Sequence, residues 1–96
     1  MEAGKKKIIQ LQEQDNVVVC IRPLQAGEKL FLSEGEIIVR QPVATGHKLA
    51  RQAIRAGELI IKYGVPIGSA TQAISPGELV HTHNIKSNYI ATHLIK

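Results

Sequence analysis

Three copies of one short pattern decide the fold: Leu24-Gln-Ala-Gly-Glu-Lys-Leu30, Ile54-Arg-Ala-Gly-Glu-Leu-Ile60 and Ile74-Ser-Pro-Gly-Glu-Leu-Val80. Each copy runs apolar, any residue, small or proline, glycine, glutamate, any residue, apolar. This order predicts a turn whose glycine adopts a backbone shape that other residues resist, followed by a strand whose apolar residue points inward. The shared glutamates Glu28, Glu58 and Glu78 are therefore interpreted as structural residues at the exposed ends of turns, since a catalytic glutamate is expected once.

Short segments rich in isoleucine and valine lie between these turns and predict strands. The predicted strands cover residues 8–11, 16–22, 36–40, 59–62 and 79–83. A single short helix of at most about two turns is predicted over 48–55, before Gly57 ends it. The fold class predicted by this pattern is mostly β, with short strands, glycine and proline turns and one short helix.

The composition is that of one small folded domain. Of the 96 residues, 44% are apolar and 21% charged, which excludes a disordered chain, and only 3% are aromatic. We expect a domain over residues 8–86, a basic tail over 1–7 and a C-terminal docking or linker segment over 87–96. A core of this size leaves little room for a closed substrate pocket, so a complete enzyme is not expected from this chain alone.

Charge and cysteine content predict the setting. The net charge of +4 comes largely from Lys5, Lys6 and Lys7, and the chain lacks the basic face with stacking aromatics that is typical of a nucleic-acid binder. Cys20 is the single cysteine, so no internal disulfide can form, and it is expected to be a small buried residue. A cytoplasmic protein is predicted, with neither export nor membrane insertion.

The densest polar cluster is Val80-His-Thr-His-Asn84. If this segment is a strand, His81 and His83 share one face, because alternate side chains point the same way. Two imidazoles at this spacing could hold one metal ion or one anionic group. The alternative is that both are solvated or bonded to backbone.

Two further clusters are Thr45-Gly-His-Lys48 and Lys62-Tyr-Gly64. His47 and Lys48 would suit a carboxylate or phosphate at the mouth of a turn, although they could equally form a polar loop. Tyr63 could donate its hydroxyl to a ligand or cap the core. The sequence has no glycine-rich phosphate loop, paired cysteines or serine nucleophile elbow, and these absences make an unaided hydrolase or phosphotransferase improbable.

Taken in order, these segments resemble a known family. The segments are Asp15-Asn-Val-Val-Val19, Gly46-His-Lys-Leu-Ala50, Ile61-Lys-Tyr-Gly64, Ile67-Gly-Ser-Ala70 and Val80-His-Thr-His-Asn84. They resemble the N-terminal domain of the altronate and galactarate dehydratases, a module that also occurs as the separate small subunit of some altronate dehydratases and of sulfolactate sulfo-lyase. The resemblance spans residues 8–86 and implies a β-clip fold of the SAF type.

The resemblance also implies an activity and a partner. The implied reaction is β-elimination of water or sulfite from a sugar acid or sulfolactate, at an interface with a large catalytic subunit that holds most of a divalent metal, Fe²⁺ or Mn²⁺. It implies that His81 and His83 are catalytic and metal-ligand candidates, and that the substrate-binding residues are His47, Lys48, Lys62, Tyr63 and Asn84.

Some alternatives stay open. The chain could be a stand-alone SAF module that binds a ligand or metal without catalysis, or a nucleic-acid binder acting through Lys5 to Lys7. The leaving group and the exact sugar acid are not fixed by the sequence. The apolar residues of the C-terminal segment are expected to lose exposure when a partner binds, namely Tyr89, Ile90, Leu94 and Ile95.

Overall fold

The chain is described by a computed structural model over residues 7–9, 12–32 and 35–87. Within these residues the regular structure consists of short strands: β1 (Ile8–Ile9), β2 (Val17–Cys20), β3 (Lys29–Leu32), β4 (Gly35–Ile38), β5 (Lys48–Ala50), β6 (Leu59–Lys62), β7 (Val65–Ala70), β8 (Leu79–Val80) and β9 (Ile85–Lys86). The predicted mostly β fold is confirmed. No helix of the described residues has the length and hydrophobicity that crossing a bilayer requires.

The strands form three antiparallel sheets. A four-stranded sheet has the order β1-β2-β5-β8, a hairpin pairs β3 with β4, and a three-stranded sheet has the order β6-β7-β9. The four-stranded sheet lies between two hydrophobic cores, because alternate residues of its central strands point to opposite faces. Val17 and Ala50 pack into a core with Ile60, while Val18 and Leu49 pack into the other core.

The repeated turn occurs four times in the structure, not three. Val43-Ala-Thr-Gly-His-Lys-Leu49 is the fourth copy, and it was hidden in the sequence because His47 stands where the other copies have glutamate. The copies associate in two pairs through isolated backbone bridges, Leu24 with Val43 and Ile54 with Ile74. The fold is thus built from two similar halves, and each core receives the apolar ends of two turns.

One turn is held especially close to its neighbour. Gly77 has a φ of 85°, and a Cβ atom at this position would overlap the backbone carbonyl of Ile38. Arg40 N–H donates to the Gly77 carbonyl at 3.0 Å, and Gly77 N–H donates to the Ala50 carbonyl at 2.8 Å. The turn that contains Gly77, which is the last of the four along the chain, therefore needs glycine both for its conformation and for its packing.

The short helix predicted over 48–55 is wrong. Residues 48–50 form β5, and the backbone N–H groups that follow donate to distant carbonyls instead of to the preceding turn: Arg51 to Asn16 at 2.9 Å and Ile54 to Ile74 at 2.9 Å. Of the apolar residues in this stretch, Leu49 and Ile54 pack into different cores and Ala53 is exposed, so they do not form one helix face. Tertiary pairing overrides local preference here.

The predicted strands agree with the structure only in part. The strand over 59–62 is confirmed as β6, whereas the strand predicted over 79–83 ends at Val80. The strands β3, β5, β7 and β9 were not predicted as strands. Cys20 is fully buried, as expected. Other predictions concern residues outside the described part of the chain: Lys5, Lys6, Tyr89, Ile90, Leu94 and Ile95.

Candidate functional site

Two histidines are in contact at the N-terminal end of β5. His47 directly precedes Lys48, the first residue of β5, and His81 directly follows Val80, the last residue of β8. Lys48 pairs with Val80, so the two histidines are the next cross-strand neighbours. Their ring centroids lie 4.7 Å apart with the planes tilted by 54°. The structure thus joins residues that the sequence placed in separate clusters.

His47 occupies the position at which the other three turns carry a structural carboxylate. Glu28, Glu58 and Glu78 each accept a hydrogen bond from the backbone N–H three residues earlier, at 2.7, 2.8 and 2.8 Å. These bonds support the structural interpretation of the glutamates, but of the three only Glu58 is exposed and the other two are half-buried. In the remaining turn an imidazole replaces the carboxylate, so this bond is given up while the backbone bond from His47 N–H to the Ala44 carbonyl is kept.

The His47 imidazole also carries an unpaired polar atom. Among the described residues, Nδ1 of His47 is buried and has no hydrogen-bond partner. A buried polar atom without a partner disfavours the folded state by roughly 1 to 3 kcal/mol, and such groups in native proteins call for an explanation. The turn that contains His47, the second along the chain, thus lacks the side-chain hydrogen bond of the other turns and has an unsatisfied nitrogen. Both features lower stability, which indicates a functional role for this turn.

Lys48 follows His47 directly along the chain, and the charge of Lys62, at the end of β6, acts on Lys48. Burial lowers the pKa of Lys48, and the positive charge of Lys62 lowers that pKa further. Lys48 is half-buried between Val19 and Val80 in the sheet, and Lys62 is the last residue of β6. Within the described part of the chain neither lysine forms an ion pair. Two neighbouring ammonium groups without an acidic partner favour the binding of an anion.

Tyr63 follows Lys62 at the tip of the β6–β7 hairpin and has a strained backbone. Its φ is 58°, in the left-handed region where a residue with a side chain is disfavoured by about 1 to 2 kcal/mol. The Lys62 ammonium lies 5.9 Å from the centroid of the Tyr63 ring. The residue is 58% exposed, so core packing does not compensate for the strain.

A buried carboxylate accepts hydrogen bonds from the backbone of the hairpin tip. Asp15 is 2% exposed and accepts hydrogen bonds from Tyr63 N–H at 2.9 Å and from Gly64 N–H at 2.7 Å. Its neighbour Asn16 pairs with β6 through its side chain, which accepts from Ile61 N–H at 2.8 Å and donates to the Leu59 carbonyl at 2.9 Å. Asn16 thus bonds to the backbone of β6 and Asp15 to the backbone of the turn that follows it.

The segment that contains the other predicted histidine is a turn and not a strand. Residues 81–84 turn back on themselves, with Asn84 N–H donating to the His81 carbonyl at 3.0 Å. The expectation that His81 and His83 share a strand face is therefore wrong, because the strand has already ended. His83 is exposed in this turn, and its role as a catalytic or metal-binding residue stays a prediction.

Asn84 has a place that differs from the one expected for a substrate group. It is fully buried, its Oδ1 accepts from His81 N–H at 2.9 Å, and its Nδ2 donates to the Leu79 carbonyl at 2.8 Å. Both ends of the amide are thus used in closing the turn that carries His81. In this geometry the side chain supports the position of His81, and its role as a substrate-binding residue stays a prediction.

Sequence reasoning missed the buried residues beneath the site. It assigned Asp15 no role beyond opening a segment that carries the family resemblance, and it placed Arg51 in a helix. Arg51 in fact donates to the backbone carbonyls of Glu13 and Asp15 at 3.1 and 2.9 Å. The available signal was the Asp-Asn pair immediately before a run of valines. No group of three or more histidine, cysteine or acidic side chains converges among the described residues in a way that could hold a metal ion.

Comparison with known proteins gives a consistent set of matches. Residues 6–88 match the family described as the altronate/galactarate dehydratase SAF domain. The altronate dehydratase of Bacillus subtilis strain 168 is 45% identical over 83 residues, which are 86% of this chain and 17% of that protein. The altronate dehydratase of Escherichia coli K12 is 40% identical over 80 residues, 83% of this chain and 16% of that protein.

A third relative is similar in size to this chain. The alpha subunit of (2R)-sulfolactate sulfo-lyase from Chromohalobacter salexigens is 36% identical over 76 residues, which cover 73% of this chain and 81% of the subunit. By contrast, the chain spans only about one sixth of the length of the two altronate dehydratases. The matched range includes every residue of the site described above.

Proposed function

Because the chain belongs to the altronate/galactarate dehydratase SAF domain family, we propose that it supplies part of the active site of a lyase that acts by β-elimination on a hydroxy acid. The remaining catalytic groups are proposed to come from a much larger polypeptide. Two findings support this: the altronate dehydratases extend far beyond the matched region, and the sulfo-lyase relative is named as one subunit of an enzyme.

The proposed reaction breaks two bonds on neighbouring carbons. A base removes the proton from the carbon next to the substrate carboxylate, and the electron pair of that bond forms a carbon–carbon double bond. The leaving group departs from the adjacent carbon with its bonding electrons, as hydroxide that is protonated to water or as sulfite. The enol product then becomes a 2-oxo acid. This reaction needs a base, positive charge near the developing enediolate and an acid at a leaving oxygen.

The observation that carries the proposal is the exchange of a turn-capping carboxylate for His47. The turn therefore lacks that structural hydrogen bond and places an imidazole against His81, and the residue after His47 is Lys48, whose pKa the charge of Lys62 lowers. We propose that Lys48 and Lys62 bind the substrate carboxylate and its enediolate charge. The His47 and His81 imidazoles are proposed to lie at the leaving group, where a protonated imidazole can donate to the departing oxygen. The base is assigned to the large polypeptide.

Tyr63 and the metal complete the proposal. The exposed Tyr63 ring lies beside Lys62, so its hydroxyl is proposed to contact the substrate or the partner at the rim of the site. We propose that a divalent metal, iron or manganese, is held mainly by the large polypeptide, to which His81 and His83 of this chain could add only a partial ligand set. Such a metal would polarise the substrate oxygens.

The experiment combines this chain with a large dehydratase or sulfo-lyase subunit and measures 2-oxo acid formation from altronate, galactarate and sulfolactate. We expect one of these acids to be consumed, and we expect His47→Ala and His81→Ala each to lower kcat/KM by roughly 100-fold or more. The comparison variant is His83→Ala, which removes the exposed imidazole of the same turn and tests whether the predicted role of His83 exceeds that of His47. A larger loss from His83→Ala than from His47→Ala would contradict the assignment.

The same preparation tests the stand-alone alternative. If the chain by itself binds the hydroxy acid with an affinity that the large subunit does not improve, and no elimination occurs with the subunit present, the chain is a binding module and the lyase proposal fails.

A further inference from the structure

We infer that Asp15 is a positioning residue for the proposed site: its buried carboxylate fixes the tip of the β6–β7 hairpin so that Lys62 and Tyr63 face the substrate. This inference rests on the proposed function, because it concerns the same lysines. Asp15 would act through the tip and would not touch the substrate itself.

The contacts of Asp15 are directed at the tip from a rigid base. Besides the bonds from Tyr63 N–H and Gly64 N–H, its carboxylate accepts from Gln12 N–H at 3.2 Å. The Asp15 carbonyl accepts from the guanidinium of Arg51, which is 8% exposed. A carboxylate with three backbone donors on its oxygens, in a segment held by a buried arginine, has little freedom to move.

The tip carries features that folding alone does not require. Hairpin turns of this kind usually place glycine or asparagine where the backbone is left-handed, yet this chain has Tyr63 there, followed by Gly64 with a φ of 73°. The Tyr63 residue is mostly exposed, so its strain is not offset by burial. Strained residues held by a surrounding network are concentrated at functional sites.

The position of the tip determines where Lys62 lies. Lys62 is joined directly to Tyr63, and its ammonium is above the Tyr63 ring and close enough to Lys48 for the two charges to repel. The Asp15 bonds hold the next two residues, Tyr63 and Gly64, and thereby help to keep Lys62 near Lys48 against this repulsion. Released from Asp15, the tip would let Lys62 move away from Lys48 into solvent.

The experiment follows the titration of the Lys48 side chain by NMR of the ¹³C-labelled lysines in the full chain. Lys62→Met defines the effect of removing the neighbouring charge, and we expect it to raise the pKa of Lys48. Asp15→Asn should raise that pKa by most of the same amount, because Lys62 is no longer held nearby. Ile74→Val is the matched control: it perturbs the core from a residue that is 2% exposed and should leave the pKa of Lys48 unchanged.

A second variant separates positioning from general support of the fold. Adding Tyr63→Gly to Asp15→Asn removes the left-handed strain, since glycine adopts this conformation freely. We expect the double variant to return the pKa of Lys48 toward that of the unaltered chain. In the complex with the large subunit, Asp15→Asn should raise KM for the hydroxy acid roughly tenfold or more, with a smaller change in kcat.

Several results would overturn the inference. One is a folded Asp15→Asn variant in which the pKa of Lys48 does not change; another is a Lys62→Met variant that leaves that pKa unaltered. If Asp15→Asn does not fold, the double variant decides: a folded double variant with a low Lys48 pKa supports positioning, and an unfolded one shows that Asp15 serves the whole fold. A complex without lyase activity would instead defeat the proposed function, and the Lys48 titration would still decide the role of Asp15.

Discussion

Replacing His47 with glutamate separates the stability of this chain from its function. The substitution makes the second turn match the other three, so the new carboxylate can accept from the N–H of Ala44 as its counterparts accept from Gln25, Arg55 and Ser75. It also removes the contact with His81. We therefore expect His47→Glu to preserve or raise stability while it abolishes elimination by the complex.

The magnitude follows from three contributions. A side-chain cap on a backbone N–H stabilises by about 1 kcal/mol. Removal of the unpaired buried Nδ1 removes a penalty of roughly 1 to 3 kcal/mol, which we discount because the His47 side chain is only half-buried. Loss of the ring contact with His81 opposes these gains by about 0.5 to 1.5 kcal/mol. The expected result is an increase of about 1 kcal/mol in the free energy of unfolding.

Thermal and urea unfolding of the full chain measure this change. For a domain of this size the increase corresponds to a rise in Tm of about 4 to 8 °C. Glu58→His is the reverse substitution in the third turn and should lower the free energy of unfolding by about 1 kcal/mol. If His47→Glu lowers the free energy of unfolding by more than about 1 kcal/mol, the four turns are not equivalent and the functional reading of His47 loses its basis.

Further predictions concern the fold and its ionisable groups. Gly77→Ala should destabilise by more than about 3 kcal/mol because its Cβ meets the Ile38 carbonyl, whereas Gly57→Ala, with a similar φ of 88° and open space, should cost about 1 to 2 kcal/mol in urea unfolding. Lys48→Met should stabilise the chain at neutral pH. The pKa of Lys48 is lowered in the folded state, so at pH values just below the ordinary pKa of 10.5 the unfolded state binds more protons. The free energy of unfolding of the unaltered chain therefore rises with pH in this range, and this rise should vanish in Lys48→Met. Burial raises the pKa of the Cys20 thiol, so a thiol reagent should label Cys20 only after unfolding, and fast labelling of the folded chain at pH 8 would contradict this placement.

The turns were predictable from sequence because their chemistry is local. A glycine with a positive φ and a glutamate that bonds three residues back leave a direct trace in the sequence, as in Gly57 and Glu58. The strand over 59–62 was predictable because its residues are mostly isoleucine and leucine and it lies between two such turn signals. The copy that contains His47 leaves no such trace, because a histidine stands where the other copies have glutamate.

The pairing across the molecule was not predictable from a local pattern. Residues 48–55 have helical spacing, but Arg51 and Ile54 direct their backbone N–H groups to partners far away in the chain. The contact of His47 with His81 depends on the register of β5 with β8, which no single segment specifies. Likewise, Asp15 reaches Tyr63 across 48 residues of sequence, and only the folded chain shows why that aspartate matters.

The claim that this chain supplies part of the active site is tested most directly by the rate of 2-oxo acid formation. The rate is measured for the large dehydratase or sulfo-lyase subunit without this chain, with it, and with its His47→Glu variant. If this chain supplies part of the active site, neither protein is active alone and the mixture is active. The His47→Glu variant, which is at least as stable, still binds the large subunit but does not restore the rate. Full activity of the large subunit without this chain, or full activity with His47→Glu, would contradict the claim that this small domain supplies part of the active site.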